Sequence, residues 1–321
     1  MSITRPPLID HLYTADPSAN VFEGRIYLYP SHDLDLDVEE NDQGDQYQMV
    51  DYHVFSLDHP EGPAQDHGEV LHVDQVPWAS QQMWAPDAAC RDGRYFLYFP
   101  AKDQNGVFRI GVATSSRPEG PFSPEAEPIR GTFSIDPCVF GDEDGEVYLY
   151  FGGIWGGQLQ NWATGSYVEN AGSLSPESPA HCPRVARLRA DMLQLETTPS
   201  DLVIVDEQGE PLKAGDTTRR YFEGPWMHKY RGTYYFSYST GDTHTLVYAT
   251  GDNPLGPFRF RGRILSPVIG WTTHHSIVEF EDRWYLYYHD ASLSGGVSHK
   301  RCVKVQELFY EEDGSIREMI P

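Results

Sequence analysis

The chain has little of several things that usually announce a function. Its 321 residues include only four cysteines, Cys90, Cys138, Cys182 and Cys302, scattered and without a Cys-x-x-Cys pair. Zinc and dithiol redox motifs are therefore unsupported, and the cysteines read as reduced and packed, as in a cytoplasmic protein. Positive charge is also scarce: 24 Lys and Arg stand against 48 Asp and Glu, for a formal net charge of -24. Nucleic acid and anionic membranes both need Lys/Arg footprints, so neither is expected as a partner. No apolar run is long enough to span a bilayer, and the stretch Met1–Leu8 carries no apolar signal-peptide core. These absences favour a cytoplasmic protein with a neutral ligand.

What is present in quantity is aromatic side chains and turn formers. Aromatics make up 13% of the chain, with 20 Tyr and 7 Trp, alongside 29 Gly and 24 Pro. Aromatic residues suit a pleated, half-buried surface, and frequent turns break it into short strands, so the composition is that of an all-β fold.

One unit recurs along the chain: an acidic or polar residue, a short apolar stretch, a turn with Gly or Asp, then an aromatic strand. Its copies begin at Asp16, Asp87, Asp136, Glu223 and His275 and run to Tyr29, Tyr98, Tyr150, Phe236 and Tyr287. A second signature follows three of them: His59-Pro-Glu-Gly-Pro63, Arg117-Pro-Glu-Gly-Pro-Phe122 and Asn253-Pro-Leu-Gly-Pro-Phe258. Strand, Pro-x-Gly-Pro turn, strand is the outer half of a four-stranded unit. Five such units predict an all-β, five-bladed β-propeller forming one domain over residues 1–321. The alternative is a β-sandwich with similar hairpins. In a propeller the first strand of each blade lines the central channel, so the five leading residues should meet at one end of the axis. Several carboxyls in one cleft push their pKa values apart.

Glu223 stands out, set in Tyr221-Phe-Glu-Gly-Pro-Trp-Met227. Apolar neighbours raise a carboxyl pKa by desolvation, and a carboxylic acid protonated near neutrality is what a general acid must be. The alternative is a turn glutamate before Gly-Pro. Two stretches depart from the repeat. Asp33–Asp45 is strongly acidic, but Val38 and Gly44 occupy the places where an EF-hand loop needs its Gly and final Glu, so it reads as a solvated loop. Trp155–Pro183, rich in Gly, Ser and Asn, is long enough to be functional and to fold over the channel mouth.

The segments Thr14-Ala-Asp-Pro-Ser18, Met83-Trp-Ala-Pro-Asp87, Ser134-Ile-Asp-Pro-Cys138, Phe222-Glu-Gly-Pro-Trp226, His274-His-Ser276 and His299-Lys-Arg-Cys-Val303 together resemble glycoside hydrolase family 43, five-bladed propeller enzymes acting on xylans and arabinans. The resemblance covers nearly the whole chain. It implies Asp16 as general base, Glu223 as general acid and Asp136 as the third carboxylate, which orients the acid and raises its pKa. It implies Arg301 as a sugar-contacting arginine, Trp84 as an aromatic wall, and His275 as a ligand to a central divalent cation, calcium in many members. His32 is expected near the substrate. Asp87 and His274 read as structural, and Trp226 and Trp271 as core or pocket. The implied activity is an inverting, exo-acting β-1,4-xylosidase on short xylo-oligosaccharides. The alternatives are an α-L-arabinofuranosidase, a combined activity, or a carbohydrate-binding propeller without catalysis. A homo-oligomer is compatible with this reading.

Overall fold

The computed structural model describes residues 5–241 and 245–321; the first four residues of the N-terminal segment read above for a leader lie outside that range. Five antiparallel units follow one another. Blade 1 is β1 (Tyr13–Phe22), β2 (Arg25–Asp33), β3 (Asp51–Leu57) and β4 (Gln65–His72). Blade 2 has a short accessory strand β5 (Ala79–Gln81), then β6 (Asp87–Arg91), β7 (Arg94–Asp103), β8 (Phe108–Ser115) and β9 (Ser123–Pro124). Blade 3 is β10 (Cys138–Gly141), β11 (Val147–Phe151), β12 (Arg184–Arg187) and β13 (Ser200–Asp201). Blade 4 begins with an outer edge strand, β14 (Ile204–Val205), which pairs parallel to the last of β15 (Glu223–Tyr230), β16 (Thr233–Ser239), β17 (Leu246–Gly251) and β18 (Phe258–Leu265). Blade 5 is β19 (His275–Phe280), β20 (Arg283–Asp290) and β21 (Cys302–Leu308). The first full strands, β1, β6, β10, β15 and β19, contact one another around a ring, so the predicted propeller stands.

The repeat has a local cause. The inner hairpins of blades 1, 2, 4 and 5 turn on Glu23-Gly24, Asp92-Gly93, Arg231-Gly232 and Glu281-Asp282, all with positive φ at both positions. That is the two-residue turn whose twist matches paired strands, and it explains the Gly or Asp in the repeat. The Pro-x-Gly-Pro signature joins the blades. Tyr29 of blade 1 donates its hydroxyl to the Pro118 carbonyl (2.7 Å), Tyr150 of blade 3 to Pro254 (2.9 Å) and Tyr287 of blade 5 to Pro60 (3.1 Å). Each acceptor sits in the turn of the next blade round the ring. Blade 4 carries Phe236 at this place in its strand, without the hydroxyl.

The core is a ring of layers between blades. Tyr29, Val54, Leu97 and Phe99 fill the layer between blades 1 and 2. Ile26, Leu28, Phe55, Tyr287 and Val303 fill that between blades 1 and 5. Both chain ends tie into the ring: the Leu8 N–H bonds the Val303 carbonyl of β21 (2.8 Å), and Met319 bridges Leu265 at the end of β18. Among the described residues no helix is long and apolar enough to cross a membrane.

Candidate active site

Of the five leading residues, Asp16, Asp136 and Glu223 meet in one cavity, each near the entrance of an inner strand, whereas Asp87 and His275 do not line it. The chain enters blades 1 and 4 through matching irregularities. β1 shifts register between Ala15 and Ser18, and β15 between Glu223 and Trp226. Asp16 (φ 48°) and Gly224 (φ 67°) take left-handed backbone there, as does Asp136 (φ 57°) just before β10. Bulges of this kind bend a strand and re-aim a side chain, here toward the axis. Asp16 and Asp136 hold this conformation without being glycine, a local cost that the surrounding structure must sustain.

Asp16 is buried and heavily supported. Its Oδ2 accepts the Ser31 hydroxyl (2.6 Å) and its Oδ1 accepts Arg301 Nη1 (3.1 Å). Burial alone would raise its pKa, but the Arg301 guanidinium, with His289, His274 and the Ser31 hydroxyl, together outweigh this and hold it at about 2. Arg301 is fixed in turn by Asp33: Nε and Nη2 donate to the two carboxylate oxygens, both at 2.8 Å, and the Arg301 N–H donates to Oδ2 (3.0 Å). The guanidinium also lies 4.8 Å from the centre of the Tyr47 ring. The Asp16 N–H donates to His289 Nδ1 (2.9 Å), which leaves the ring proton on Nε2 for the Thr272 carbonyl (3.1 Å). Burial, then Arg301, pushes His289 down to about 3, so this support is neutral.

Glu223 has the opposite surroundings. Burial, then the negative charge of Asp16, raises its carboxyl to about 8. Among the described residues nothing hydrogen-bonds that carboxyl, so both oxygens are available to a ligand. Asp136 is driven far above the usual carboxylate range by burial and then by Glu223. Its Oδ2 accepts the Gly224 N–H (2.9 Å), which ties it to the residue after Glu223. The sequence points to apolar neighbours and Asp136 as the two causes of the Glu223 elevation. In the structure burial leads and the Asp16 charge follows, and Glu223 and Asp136 repel each other as a pair. Two buried carboxyls in this relation hold their protons as a pair.

The cavity has two chambers. The inner one is lined by Asp16, Asp136, Glu223, Arg301, His274 and Trp84, among others. The outer one, about 240 Å³, is bounded by Glu40, Asp42, Trp155, Phe222 and Trp271. Tyr47, Trp84, Thr272 and Glu223 line both, so Glu223 stands at the neck. Trp84 lines both chambers; its Nε1 donates to the Tyr47 carbonyl (2.9 Å) and its ring packs 4.7 Å from Phe108. The long insertion does shape the mouth. Ser134 Oγ donates to the Gly157 carbonyl (2.6 Å) and accepts the Gly153 N–H (2.9 Å), pinning the loop over Ile135. A Cβ on Gly153 or Gly157 would come within 2.7 Å of Ile135, so only glycine allows this approach. Trp155 then stacks on Trp271, with centroids 5.9 Å apart and planes 20° apart.

Several expectations change. His32 lines neither chamber; it bonds Asp51 through Nδ1 (2.6 Å), because on β2 it faces the other way from Ser31 and Asp33. The acidic stretch is no simple solvated loop. Asp33 is buried on Arg301, Glu40 accepts the Ser298 hydroxyl (2.6 Å), and Gly44 lies against Trp84. Trp226 is blade core, with Nε1 on the Ile277 carbonyl (3.0 Å), whereas Trp271 is pocket. Asp87 is structural, as read: it accepts Ser18, Ala88 and Val139 and so joins blades 1, 2 and 3. His274 was read as structural but lines the inner chamber. Its Nδ1 accepts the His275 N–H (2.8 Å), which puts its proton on Nε2, 3.9 Å from Asp136 Oδ2 and without a hydrogen-bond partner among the described residues. Ser31, Asp33, Tyr47, Thr272 and His289 were missed. The only sequence hint for them was adjacency to motifs already singled out.

His275 lines neither chamber and is fully buried, with Nε2 2.6 Å from Ser237 Oγ and Nδ1 unpartnered among the described residues. Burial drives its pKa far down, so the imidazole is neutral. A buried, neutral ring with an orphaned nitrogen fits a cation ligand. Among the described residues it belongs to no close cluster of His, Cys or carboxylate donors, so any ion there would take most of its other ligands from water.

One ionised and one protonated carboxyl in a pocket with aromatic walls are the pair that glycoside hydrolysis requires. Residues 15–316 match the model of glycosyl hydrolases family 43, and the chain belongs to that family. It is 59% identical over 319 residues to a xylosidase/arabinosidase of Humicola insolens, covering 97% of this chain and 98% of that protein. It is 52% identical over 308 residues to a beta-xylosidase of Xylanibacter ruminicola, covering 95% of this chain and 96% of that protein. Among solved structures it resembles a family 43 beta-xylosidase/alpha-arabinofuranosidase from a compost metagenome, crystallised with xylotriose in a calcium-free form: 58% identity, TM-score 0.96, covering 98% of this chain and 97% of that one.

Proposed function

We propose that this hydrolase is an inverting, exo-acting β-xylosidase that removes one xylose at a time from the non-reducing end of short β-1,4-xylo-oligosaccharides, with α-L-arabinofuranosidase activity in the same pocket. The observation that carries the reading is the position of Glu223 at the neck between the chambers. A sugar in the inner chamber places its glycosidic oxygen at that neck, within reach of the acid. Asp16, ionised and held by Arg301, takes a proton from the water that attacks the anomeric carbon, and Glu223 gives its proton to the departing oxygen. Asp136 keeps Glu223 in place through Gly224. His274 Nε2 and Arg301 donate toward the sugar hydroxyls, and Trp84 offers a wall. The Trp155–Trp271 stack receives the next sugar. The similarity to proteins named for both xylosidase and arabinosidase activity supports the dual reading.

A divalent cation, calcium by family resemblance, would be held by His275 and would add positive charge beneath the carboxyls. The four free cysteines support the cytoplasmic reading, in which the propeller of residues 1–321 trims imported oligosaccharides as one catalytic unit. The experiment is turnover of xylobiose, nitrophenyl β-xyloside and nitrophenyl α-arabinofuranoside, with product anomers followed by NMR and with chelator and calcium as variables. Binding of xylobiose without turnover of any substrate would establish a carbohydrate-binding propeller instead. Retention of the anomeric configuration would refute the water-mediated mechanism, and indifference to chelator would remove the cation from the scheme.

A further inference from the structure

Outside the cavity, blade 1 holds a second concentration of chemistry-bearing side chains. β2 and β3 pair with Ser31 opposite Tyr52, which brings His32 opposite Asp51, and strand alternation puts His53 on the same face as Asp51. Donor atoms of His32, Asp51 and His53 all lie within 4.8 Å of one another. The two imidazole rings are 5.1 Å apart. The side chains are 16%, 10% and 17% exposed, so the group is walled yet reachable from solvent. Behind it stands Asp66. Its Oδ1 is 3.3 Å from His53 Nδ1 and accepts the Gly68 N–H (2.7 Å), and its Oδ2 is 2.9 Å from His11 Nε2. A carboxylate on one ring nitrogen fixes the imidazole and turns the other nitrogen outward, the arrangement found behind metal-bound histidines.

We propose that His32, Asp51 and His53 form a binding site for a transition-metal ion of the zinc or cobalt class, with Asp66 orienting His53. Bonds of about 2.0–2.2 Å to a tetrahedral ion set its ligands roughly 3.4 Å apart. From a widest separation of 4.8 Å, the donors close by about 1.4 Å at most, while the 2.6 Å contact of His32 with Asp51 opens by less than about 1 Å. Side-chain rotation supplies movements of that size. Two imidazoles and one carboxylate form a nitrogen-rich set, unsuited to calcium or magnesium, which take oxygen ligands. The site is therefore chemically distinct from a calcium site at His275. It also has a structural consequence. His32 sits on β2 between Ser31, which bonds the Asp16 carboxylate, and Asp33, which clamps Arg301. An ion joining β2 to β3 at this point braces the strand that supports the base.

The test is a Co²⁺ titration of the full chain in excess calcium, which occupies any oxygen-rich site and leaves this one open. One equivalent of cobalt with the intense visible band of a tetrahedral centre is expected. Asp51→Asn and His53→Ala should abolish the band, and Asp66→Asn should weaken binding by about 10- to 100-fold. His67→Ala, in β4 with its ring on Ser56, should leave it unchanged. A zinc soak of wild-type crystals, with the anomalous difference map inspected at blade 1, gives a reading that no unfolded variant can confuse. A band that survives both Asp51→Asn and His53→Ala, or a map without a peak between His32 and His53, would overturn the proposal and leave the cluster as an ion-pair network.

Discussion

Replacing Glu223 by Gln should stabilise the protein while destroying its activity on natural substrates, and the gain should depend on pH in a defined way. The Glu223 carboxyl titrates near 4.5 when unperturbed and is raised to about 8 in the fold, chiefly by burial. Between those values the unfolded chain releases this proton and the folded protein keeps it. The unfolded state therefore gains with rising pH, and wild-type stability falls by about 1.4 kcal/mol per pH unit from this group alone. The loss is absent below about pH 4.5, fully developed above about pH 8, and about 3 kcal/mol at pH 7. Glutamine has nearly the same shape and no proton to lose. The stability difference between Glu223→Gln and wild type should thus grow by about 3 kcal/mol from pH 4.5 to 7, or roughly 5 °C in thermal midpoint for a chain of this length. Asp136 remains in both proteins with a pKa raised mainly by burial, so its contribution largely cancels in the difference. The assay is reversible urea unfolding of both proteins at several pH values across that window. A difference that stays flat with pH would mean Glu223 is ionised in the folded protein, and a carboxylate cannot serve as the acid.

The same values set the rate profile. On xylobiose, kcat/KM should fall tenfold per pH unit above about 8 as Glu223 ionises, and Asp16 should impose no acid limb until well below the ordinary carboxylate range; an alkaline limb near 4.5 would contradict the assignment. Asp33→Asn removes the charged half of the clamp on Arg301 and should lower kcat/KM by about 30- to 100-fold, on the order of 2–3 kcal/mol, with the protein still folded by circular dichroism. Unchanged kinetics would show that Arg301 needs no such support. Trp155→Ala takes away half of the stack at the outer chamber and should raise KM for xylotriose by about 3- to 10-fold with little change in kcat, the worth of one aromatic contact. An unaltered KM would place the second sugar elsewhere.

The fold was legible because its evidence is local. A Glu-Gly or Asp-Gly hairpin and a Pro-x-Gly-Pro turn each declare themselves within a few residues, and five repetitions leave little choice of topology. The carboxyls were legible for the same reason, since each begins a repeat and the propeller does the converging. What escaped is what depends on strand phase or on partners distant in sequence. In Ser31-His32-Asp33, histidine looked like the chemistry, yet alternation along β2 turns Ser31 and Asp33 to the site and His32 away from it. No local pattern says that Asp33, first of an acidic run, is buried on an arginine 268 residues later.

The division of labour between the carboxyls also could not come from sequence, because it turns on partners far along the chain, Arg301 first and then His289 and His274. Asp16 and Asp136 are buried and Glu223 is partly buried, and desolvation pushes all three upward. Only Asp16 is hydrogen-bonded by Arg301, and only Asp16 ends below its ordinary value. Its charge then helps to keep the proton on Glu223. Asp16 and Glu223 are therefore one electrostatic system in which Arg301 is the strongest positive charge, and Asp33 acts on both by fixing where that charge stands. Movement of the arginine toward the neck would stabilise an ionised Glu223 and release Asp16 to take up a proton, reversing the assignment. Weakening the clamp in Asp33→Asn should accordingly do more than slow the reaction. It should draw the two limbs of the pH–rate profile toward each other, an outcome that simple loss of a sugar contact would not produce.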